Sequence, residues 1–236
     1  MASLVLVVIV TLACIQVQVK AWYFMDSECG EVISLTASDP DGVLYTSASL
    51  YYEDNMNCNV TITAPEGQKI LLIFVSFEVD TGSTSTCSDA DALSIWDGSL
   101  DSGSWLSPTD GLCGDLLNVP SYGYATSTNE TVLYWTTDNS DNSYGFIINF
   151  NLYTSTPCDA TTEFACSNDR CIPSELKNNL RDNCGDLSDE PEVLSFFGKF
   201  LAMGLGIVIG IIVAIVIVCI CCVVGCICCC VKCGKK

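Results

Sequence analysis

The amino-acid sequence predicts an all-β protein whose main domain is a two-sheet β-sandwich. Between Cys29 and Tyr153, short segments rich in β-branched and aromatic residues alternate apolar with polar positions, which is the period of a strand. Clusters of Gly, Asp, Ser and Pro separate these segments, and no helical period lies between them. The segment is long enough for one hydrophobic core, which favours a single sandwich.

The strands of this sandwich are predicted from the apolar periodicity. They cover residues 59–63, 70–79, 92–96, 131–137 and 144–152. In the last segment Phe146, Ile148, Phe150 and Leu152 fall on one face, so this face is expected in the core. Turns are predicted at Pro40-Asp41-Gly42, Pro65-Glu66-Gly67, Asp97-Gly98 and Asp110-Gly111.

The N-terminal 21 residues have the features of a secretory signal peptide. The apolar run 4–12 is too short to span a bilayer, and Val19 and Ala21 satisfy the cleavage rule, so Trp22 is the expected mature N-terminus. Two alternatives remain open. Residues 11–14 also resemble a bacterial lipoprotein cleavage box, and the run is compatible with a buried N-terminal helix.

The C-terminal part predicts a membrane anchor. No charged residue lies between Lys199 and Lys232, and a helix over 200–224 is long enough to cross the bilayer. All acidic residues precede this span and lysines follow it, which predicts a type I single-pass protein of the cell membrane with an extracellular N-terminal part. Gly206 and Gly210 suggest helix pairing into a homodimer, although glycines also occur in spans that do not pair.

Composition excludes several function classes. The chain of 236 residues has no histidine, so a Ser-His or Cys-His nucleophile and a histidine metal ligand are absent. Its net charge of −19 disfavours binding to nucleic acid. No enzymatic activity is expected.

Of the 17 cysteines, Cys14 belongs to the signal peptide, eight lie in the extracellular part, and eight lie in or below the inner half of the predicted membrane span. The even number in the extracellular part indicates four disulfide bridges: Cys29, Cys58, Cys87, Cys113, Cys158, Cys166, Cys171 and Cys184. In the tail 225–236, the cytoplasmic side keeps thiols reduced, and thioesters to fatty acids such as palmitate are expected. The candidates for acylation are Cys226, Cys228, Cys229, Cys230 and Cys233.

Residues 29–153 resemble a CUB domain. The residues that carry the likeness are Cys29, the segment Cys58-Asn59-Val60-Thr61-Ile62-Thr63-Ala64-Pro65-Glu66-Gly67, the segment 74–80, Cys87, the segment 91–98, Leu112-Cys113-Gly114 and Tyr144-Gly145-Phe146. The resemblance implies a two-sheet sandwich with bridges Cys29–Cys58 and Cys87–Cys113.

The same resemblance implies a calcium ion at one end of the sandwich. The positions of the family's acidic ligands correspond to Asp80, Asp91 and Asp138. Calcium prefers several hard oxygen ligands, and carboxylates from three loops supply them. The alternative is that these residues are solvated surface acids of a very acidic protein.

Residues 158–190 resemble an LDL-receptor class A module. The matching residues are Cys158, Phe164-Ala165-Cys166, Cys171-Ile172-Pro173 and Cys184-Gly185-Asp186-Leu187-Ser188-Asp189-Glu190. Two of the family's six cysteines are missing, and Asn178 occupies the place of one. The missing two are partners in the family's pairing, so the resemblance implies the bridges Cys158–Cys171 and Cys166–Cys184.

The calcium cage of this second family is altered in the sequence. Its four acidic positions read Asn179, Asn183, Asp189 and Glu190, and the positions of its carbonyl ligands are Leu176 and Arg181. Two carboxylates have become amides, which predicts weak or absent calcium binding because ligand charge sets affinity. Asp182 or Asp186 could compensate.

Two motifs predict a glycoprotein. Asn59-Val60-Thr61 and Asn129-Glu130-Thr131 are acceptors for N-glycosylation in the extracellular part.

Taken together, the sequence predicts a cell-surface binding protein: a receptor, co-receptor or adhesion protein. A calcium-binding CUB module would engage an extracellular protein ligand. The alternative is a structural, coat-type surface glycoprotein with no specific soluble ligand.

Overall fold

The computed structural model describes residues 22–82, 87 and 90–191. The predicted signal peptide 1–21, the membrane helix 200–224 and the tail 225–236 with its acylation candidates lie outside these described residues. Among the residues that are described, no helix is long and apolar enough to cross a membrane.

The described residues form short strands and 3-10 turns. The strands are β1 (Trp22–Phe24), β2 (Val32–Ser34), β3 (Asp41–Tyr45), β4 (Asn57–Thr63), β5 (Lys69–Val79), β6 (Ala92–Asp97), β7 (Ser104–Trp105), β8 (Gly114–Asp115), β9 (Tyr124–Ala125), β10 (Glu130–Thr136), β11 (Gly145–Ser155), β12 (Glu163–Ala165) and β13 (Arg170–Pro173). The 3-10 turns cover Leu116–Asn118 and Ser174–Leu176.

The strands assemble into two sheets. The first has the order β1-β3-β11-β13-β12, and β5 pairs with β11, β8 and β9. The second has the order β2-β4-β10-β6-β7. Most neighbours are antiparallel, whereas β1 runs parallel to β3 and β2 runs parallel to β4. The predicted all-β, two-sheet sandwich is therefore confirmed.

The main core lies between the two sheets. Strand β11 contributes Phe146, Ile148, Phe150 and Leu152, as its alternation predicted. On β10 of the opposite sheet, Trp135 is fully buried and packs edge-on against Phe146, with the ring centroids 5.4 Å apart. Aromatic pairs in this arrangement add to the stabilisation that comes from burial alone.

One predicted turn is wrong. The composition of Pro40-Asp41-Gly42 predicts a turn, but Asp41 and Gly42 are the first two residues of strand β3. A Cβ atom on Gly42 would lie 2.4 Å from the ring of Phe150 in β11. This glycine is therefore required by the close approach of a neighbouring ring, and not by a turn.

The second module continues the first sheet. Strands β12 and β13 form a hairpin, and β13 pairs with the end of β11 through Thr154–Cys171 and Ser155–Arg170. A second core lies on the outer face of the first sheet, where side chains of the sandwich pack against those of the module. Its buried members are Leu71, Ile73, Tyr153, Cys166, Ile172, Leu176 and Cys184.

Candidate metal site

A buried carboxylate occupies one end of the sandwich. Asp91 immediately precedes β6, and only 1% of its surface is exposed. The Tyr52 hydroxyl donates a hydrogen bond to its Oδ2, and the backbone N–H of Asp138 donates to its Oδ1 over 2.8 Å. The Tyr52 ring packs edge-on against Trp135. The core of the sandwich thus holds the partner that orients Asp91.

The other two predicted ligands flank Asp91. Asp80 follows β5 and donates its N–H to the Tyr52 hydroxyl over 3.1 Å, while Asp138 lies just beyond β10. The Tyr52 hydroxyl therefore links Asp80 to Asp91, and Asp91 in turn holds Asp138 through its backbone N–H. Tyr52 itself was not predicted, since a single tyrosine in an irregular segment gives no recognisable signal.

The carboxylate oxygens of this group point in different directions. Asp80 Oδ2 accepts the N–H of Gly82 over 2.6 Å, and Asp138 Oδ1 accepts the N–H of Ser140 over 2.8 Å. Within the described ranges, the three carboxylates do not gather within 4.8 Å of one another. Asp80 and Asp138 therefore lie beside Asp91, and each uses one carboxylate oxygen within its own turn.

The electrostatics of the site disfavour an uncompensated charge. Burial raises the pKa of Asp91, the charges of Asp138 and Asp80 raise it further, and hydrogen bonds from Tyr52 and Asp138 oppose the shift. Burial and the bond to Asp91 also raise the pKa of Tyr52. No lysine or arginine of the described residues lies within 4.0 Å of these carboxylates.

The donor set fits calcium. Asp80, Asp91 and Asp138 offer hard carboxylate oxygens from three loops, and the Tyr52 hydroxyl orients the carboxylate of Asp91. A bound calcium ion supplies positive charge to a group of acids that otherwise lacks a counter-charge. The chain's own contribution is to hold Asp91 in place and to keep Asp80 and Asp138 beside it.

The second predicted site lies in the loop 179–190. Glu190 accepts the backbone N–H groups of Asn179, Leu180 and Arg181, at 3.0, 3.1 and 3.2 Å. Its carboxylate is thus engaged in closing the loop. Burial raises the Glu190 pKa, and these hydrogen bonds oppose the shift.

Asp189 is the other acid of this loop, and it is fully buried. Its Oδ2 accepts the N–H of Asn183 over 2.8 Å, while its Oδ1 has no hydrogen-bond partner among the described residues. Burial raises the pKa of Asp189 to about 6. The side-chain oxygen of Asn183 is also buried and unpartnered. Two such oxygens are far fewer than the six to eight that calcium takes.

The side chains of the remaining predicted members lie elsewhere. Leu176 contributes its side chain to the second core and Arg181 extends its side chain towards Asp41, while their backbone carbonyls as ligands stay a prediction. Asp182 accepts the N–H groups of Gly185 and Leu187 through Oδ1, and Asp186 accepts from Ser188. The acids of the loop therefore stabilise the loop itself.

Disulfides staple both modules. The structure joins Cys29 to Cys58, Cys87 to Cys113, Cys158 to Cys171 and Cys166 to Cys184. Cys158, Glu163 and Cys171 also lie close enough together to suggest a metal site. Because both sulfurs are bonded to each other, this group offers no thiolate ligands.

A disulfide-stapled β-sandwich followed by a small acidic, disulfide-stapled module defines the class of extracellular binding modules. The family model of the CUB domain matches residues 29–150. The chain therefore belongs to the CUB domain family. The model of the low-density lipoprotein receptor domain class A matches residues 156–193, so a module of that type follows the CUB domain.

Several solved structures are similar to this chain. The CUB1-EGF-CUB2 domain of human MASP-1/3 is 20% identical over 53% of this chain and 42% of its own length, with a TM-score of 0.43. The full extracellular region of zebrafish Gpr126/Adgrg6 is 19% identical over 60% of this chain and 18% of its own length, with a TM-score of 0.41. The MASP-1 CUB2 domain bound to Ca²⁺ is 20% identical over 52% of this chain and 98% of its own length, with a TM-score of 0.42.

Proposed function

We propose that this protein is a cell-surface binding protein without catalytic activity, acting as a receptor, co-receptor or adhesion protein. It engages an extracellular protein through the loop end that carries Asp80, Asp91 and Asp138. The observation that carries the proposal is the buried Asp91, which is held by Tyr52 between two further acids. Buried charges in proteins are paired or coordinate metals, so an unpaired group of this kind indicates a ligand.

Calcium is the proposed counter-charge at this end of the sandwich. Between Cys29 and Tyr153 the only basic residue is Lys69, which begins β5, whereas Asp80 follows the end of the same strand. The two lie about 35 Å apart at the usual rise of a strand, too far for pairing. CUB domains and low-density lipoprotein receptor class A domains commonly bind calcium, which supports the assignment.

The partner is proposed to present a basic side chain. Three acids around one divalent cation keep a net negative charge, and a lysine or arginine of the partner is the complementary group. The second module is proposed to act as a rigid support with weak or absent calcium binding, because Glu190 already closes its loop.

The membrane anchor belongs to the same proposal and rests on the sequence. A helix over 200–224 and an acylated tail would hold the two modules close to the bilayer. Such a position suits contact with partners that reach the cell surface.

The test is saturable binding to cells that display the full chain. Soluble extracellular proteins are captured in millimolar calcium and in chelator, by the wild type, by Asp91→Asn and by the control Glu66→Gln, which changes an exposed turn. The proposal expects a partner that the wild type and Glu66→Gln retain only in calcium and that Asp91→Asn does not retain. Binding that is unchanged by chelator and by Asp91→Asn contradicts the proposal. An absence of saturable binding favours the coat-type alternative.

A further inference from the structure

The outer face of the second sheet carries an aromatic groove with a volume of about 430 Å³. Trp96 of β6 and Trp105 of β7 are cross-strand partners, and their ring centroids are 4.0 Å apart. Trp105 is 40% exposed, and Tyr134 of the adjacent strand β10 lines the same groove. Large exposed aromatic surface of this kind is typical of binding sites.

The groove also presents polar groups. Ser94, Thr136 and Asp110 line it beside the rings, whereas lysine and arginine are absent from its lining. A sugar has apolar C–H faces that pack on aromatic rings, and hydroxyl groups at its edge that bond to hydroxyls and carboxylates. Aromatic walls with a few convergent polar groups therefore match a saccharide.

The source of such a saccharide lies on the same face. Asn59, the acceptor of Asn59-Val60-Thr61, is the direct cross-strand neighbour of Tyr134, which in turn faces Ser94. Neighbouring strands lie about 4.8 Å apart, and the groove reaches from β10 to β7, so it begins about 5 Å from Asn59 and extends to about 14 Å. Asn59 and Thr61 are both partly exposed, and no described residue forms a hydrogen bond with the Asn59 side chain.

We propose that the N-linked glycan of Asn59 crosses the outer face of this sheet and packs on Tyr134, Trp96 and Trp105. Its sugars then cover the aromatic groove. The second module covers the part of the other sheet's outer face that carries Leu71, Ile73 and Tyr153. With both faces occupied in this way, the loop end that carries Asp91 is left open for partners.

The second acceptor provides an internal control. Asn129 lies just before β10, where its side-chain amide donates to the carbonyl of Ala64 over 3.1 Å. The cross-strand neighbour of Asn59 is the lining residue Tyr134, whereas Asn129 precedes β10 and is paired with no residue of the groove lining. A glycan at Asn129 is therefore expected to make less contact with the aromatic rings than one at Asn59.

The experiment measures how fast each glycan is released from the native protein. Full-length protein from animal cells is treated with a glycan-releasing amidase without denaturation, and release is followed separately at Asn59 and Asn129 by mass spectrometry. The proposal expects slower release at Asn59. Trp105→Ala should accelerate release at Asn59 by roughly threefold to tenfold, the worth of one aromatic contact, and leave Asn129 unchanged.

Three results overturn the proposal: an Asn59 that carries no glycan, equal release at the two sites, or a slow release at Asn59 that Trp105→Ala does not change. If Trp105→Ala accelerates both sites, the substitution has loosened the fold. In that case, glycan release is measured on Trp105→Leu, which keeps an apolar side chain but removes the aromatic face. Acceleration at Asn59 alone supports the proposal, and any other pattern refutes it.

Discussion

The side-chain amide of Asn151 donates a hydrogen bond to the backbone carbonyl of Asn183, 3.2 Å away. Asn151 is fully buried in β11, and Asn183 belongs to the acidic loop of the second module. Beside this pair, Arg181 of the loop lies 3.7 Å from Asp41, the cross-strand partner of Asn151. The adjacent strands β3 and β11 of the sandwich thus hold the loop of the second module directly.

The two modules are therefore expected to unfold together. Ile172 of β13 is fully buried and belongs to the second core with Leu71 and Ile73 of the sandwich. Ile172→Ala should lower the free energy of unfolding by about 2–4 kcal/mol and preserve a single transition. Thermal unfolding by calorimetry tests this, with Val75→Ala as the control because Val75 lies on β5 but is 51% exposed. A separate early transition in Ile172→Ala, with the sandwich unaffected, would contradict the shared unit.

The strands of the sandwich could be predicted because alternation of apolar and polar residues indicates a sheet that is buried on one face. The packing of the outer face of β5 could not be predicted. Its apolar run 70–75 is continuous, which is typical of a strand covered on both faces. The sequence does not say what covers the outer face, because that cover consists of Ile172 and Leu176, which are about a hundred residues away.

The candidate calcium site was predicted in part. The family resemblance indicates Asp80, Asp91 and Asp138, and the structure places Asp80 and Asp138 beside Asp91 without gathering the three carboxylates. Tyr52, which joins Asp80 to Asp91, is 39 residues from Asp91 and lies in no regular element. In the second module the substitutions to Asn179 and Asn183 were visible in the sequence. That Glu190 closes the loop through three backbone N–H groups depends on backbone geometry, which residue types do not encode.

Calcium should stabilise the wild-type protein through Asp91. A ligand that binds only the folded state contributes about 2.7 kcal/mol at a hundredfold excess over its Kd. Asp91→Asn should abolish the calcium-dependent rise in Tm. In chelator its stability should stay close to that of the wild type, because the removal of a buried charge and the disturbed hydrogen bonds from Tyr52 and Asp138 act in opposite directions.

The measurement is thermal unfolding in millimolar calcium and in chelator. Glu66→Gln removes one acidic charge from an exposed turn and should keep the full calcium response. An identical Tm of the wild type in calcium and in chelator would show that the three aspartates do not bind calcium.

Glu190 should contribute to the free energy of unfolding equally in the presence and in the absence of calcium. Its carboxylate accepts three backbone N–H groups, so Glu190→Ala leaves these donors without their partner. The free energy of unfolding should fall by about 2–4 kcal/mol, by the same amount in calcium and in chelator. Urea unfolding measures this loss, and Glu175→Ala, an exposed acid of the same module, is the control. A loss that occurs only in calcium would identify Glu190 as a metal ligand instead.

Asp97 should make the stability of the sandwich depend on acid pH. Asp97 is 7% exposed at the end of β6, and its carboxylate accepts the N–H of Ser127 at 2.9 Å and the N–H and hydroxyl of Thr128 at 3.1 and 2.9 Å. Burial favours protonation, but these hydrogen bonds outweigh burial, and the pKa of Asp97 is lowered.

The sign of this dependence follows from the direction of the shift. A carboxyl whose pKa is lower in the folded state stabilises the fold above its ordinary value of about 3.9, and this contribution is lost as the pH falls through the folded-state value. Asp97→Asn keeps the shape but turns one acceptor into a donor that faces N–H groups. At pH 7 it should therefore cost about 1–3 kcal/mol. Because the wild type loses the contribution of its ionised Asp97 in acid, the difference in the free energy of unfolding between the two proteins should shrink between pH 4 and pH 2.

Urea unfolding at several pH values tests this, with Asp101→Asn, in an exposed turn, as the matched control. A difference between Asp97→Asn and the wild type that stays constant from pH 7 to pH 2 would show that the ionised carboxylate contributes nothing to the turn at Ser127 and Thr128.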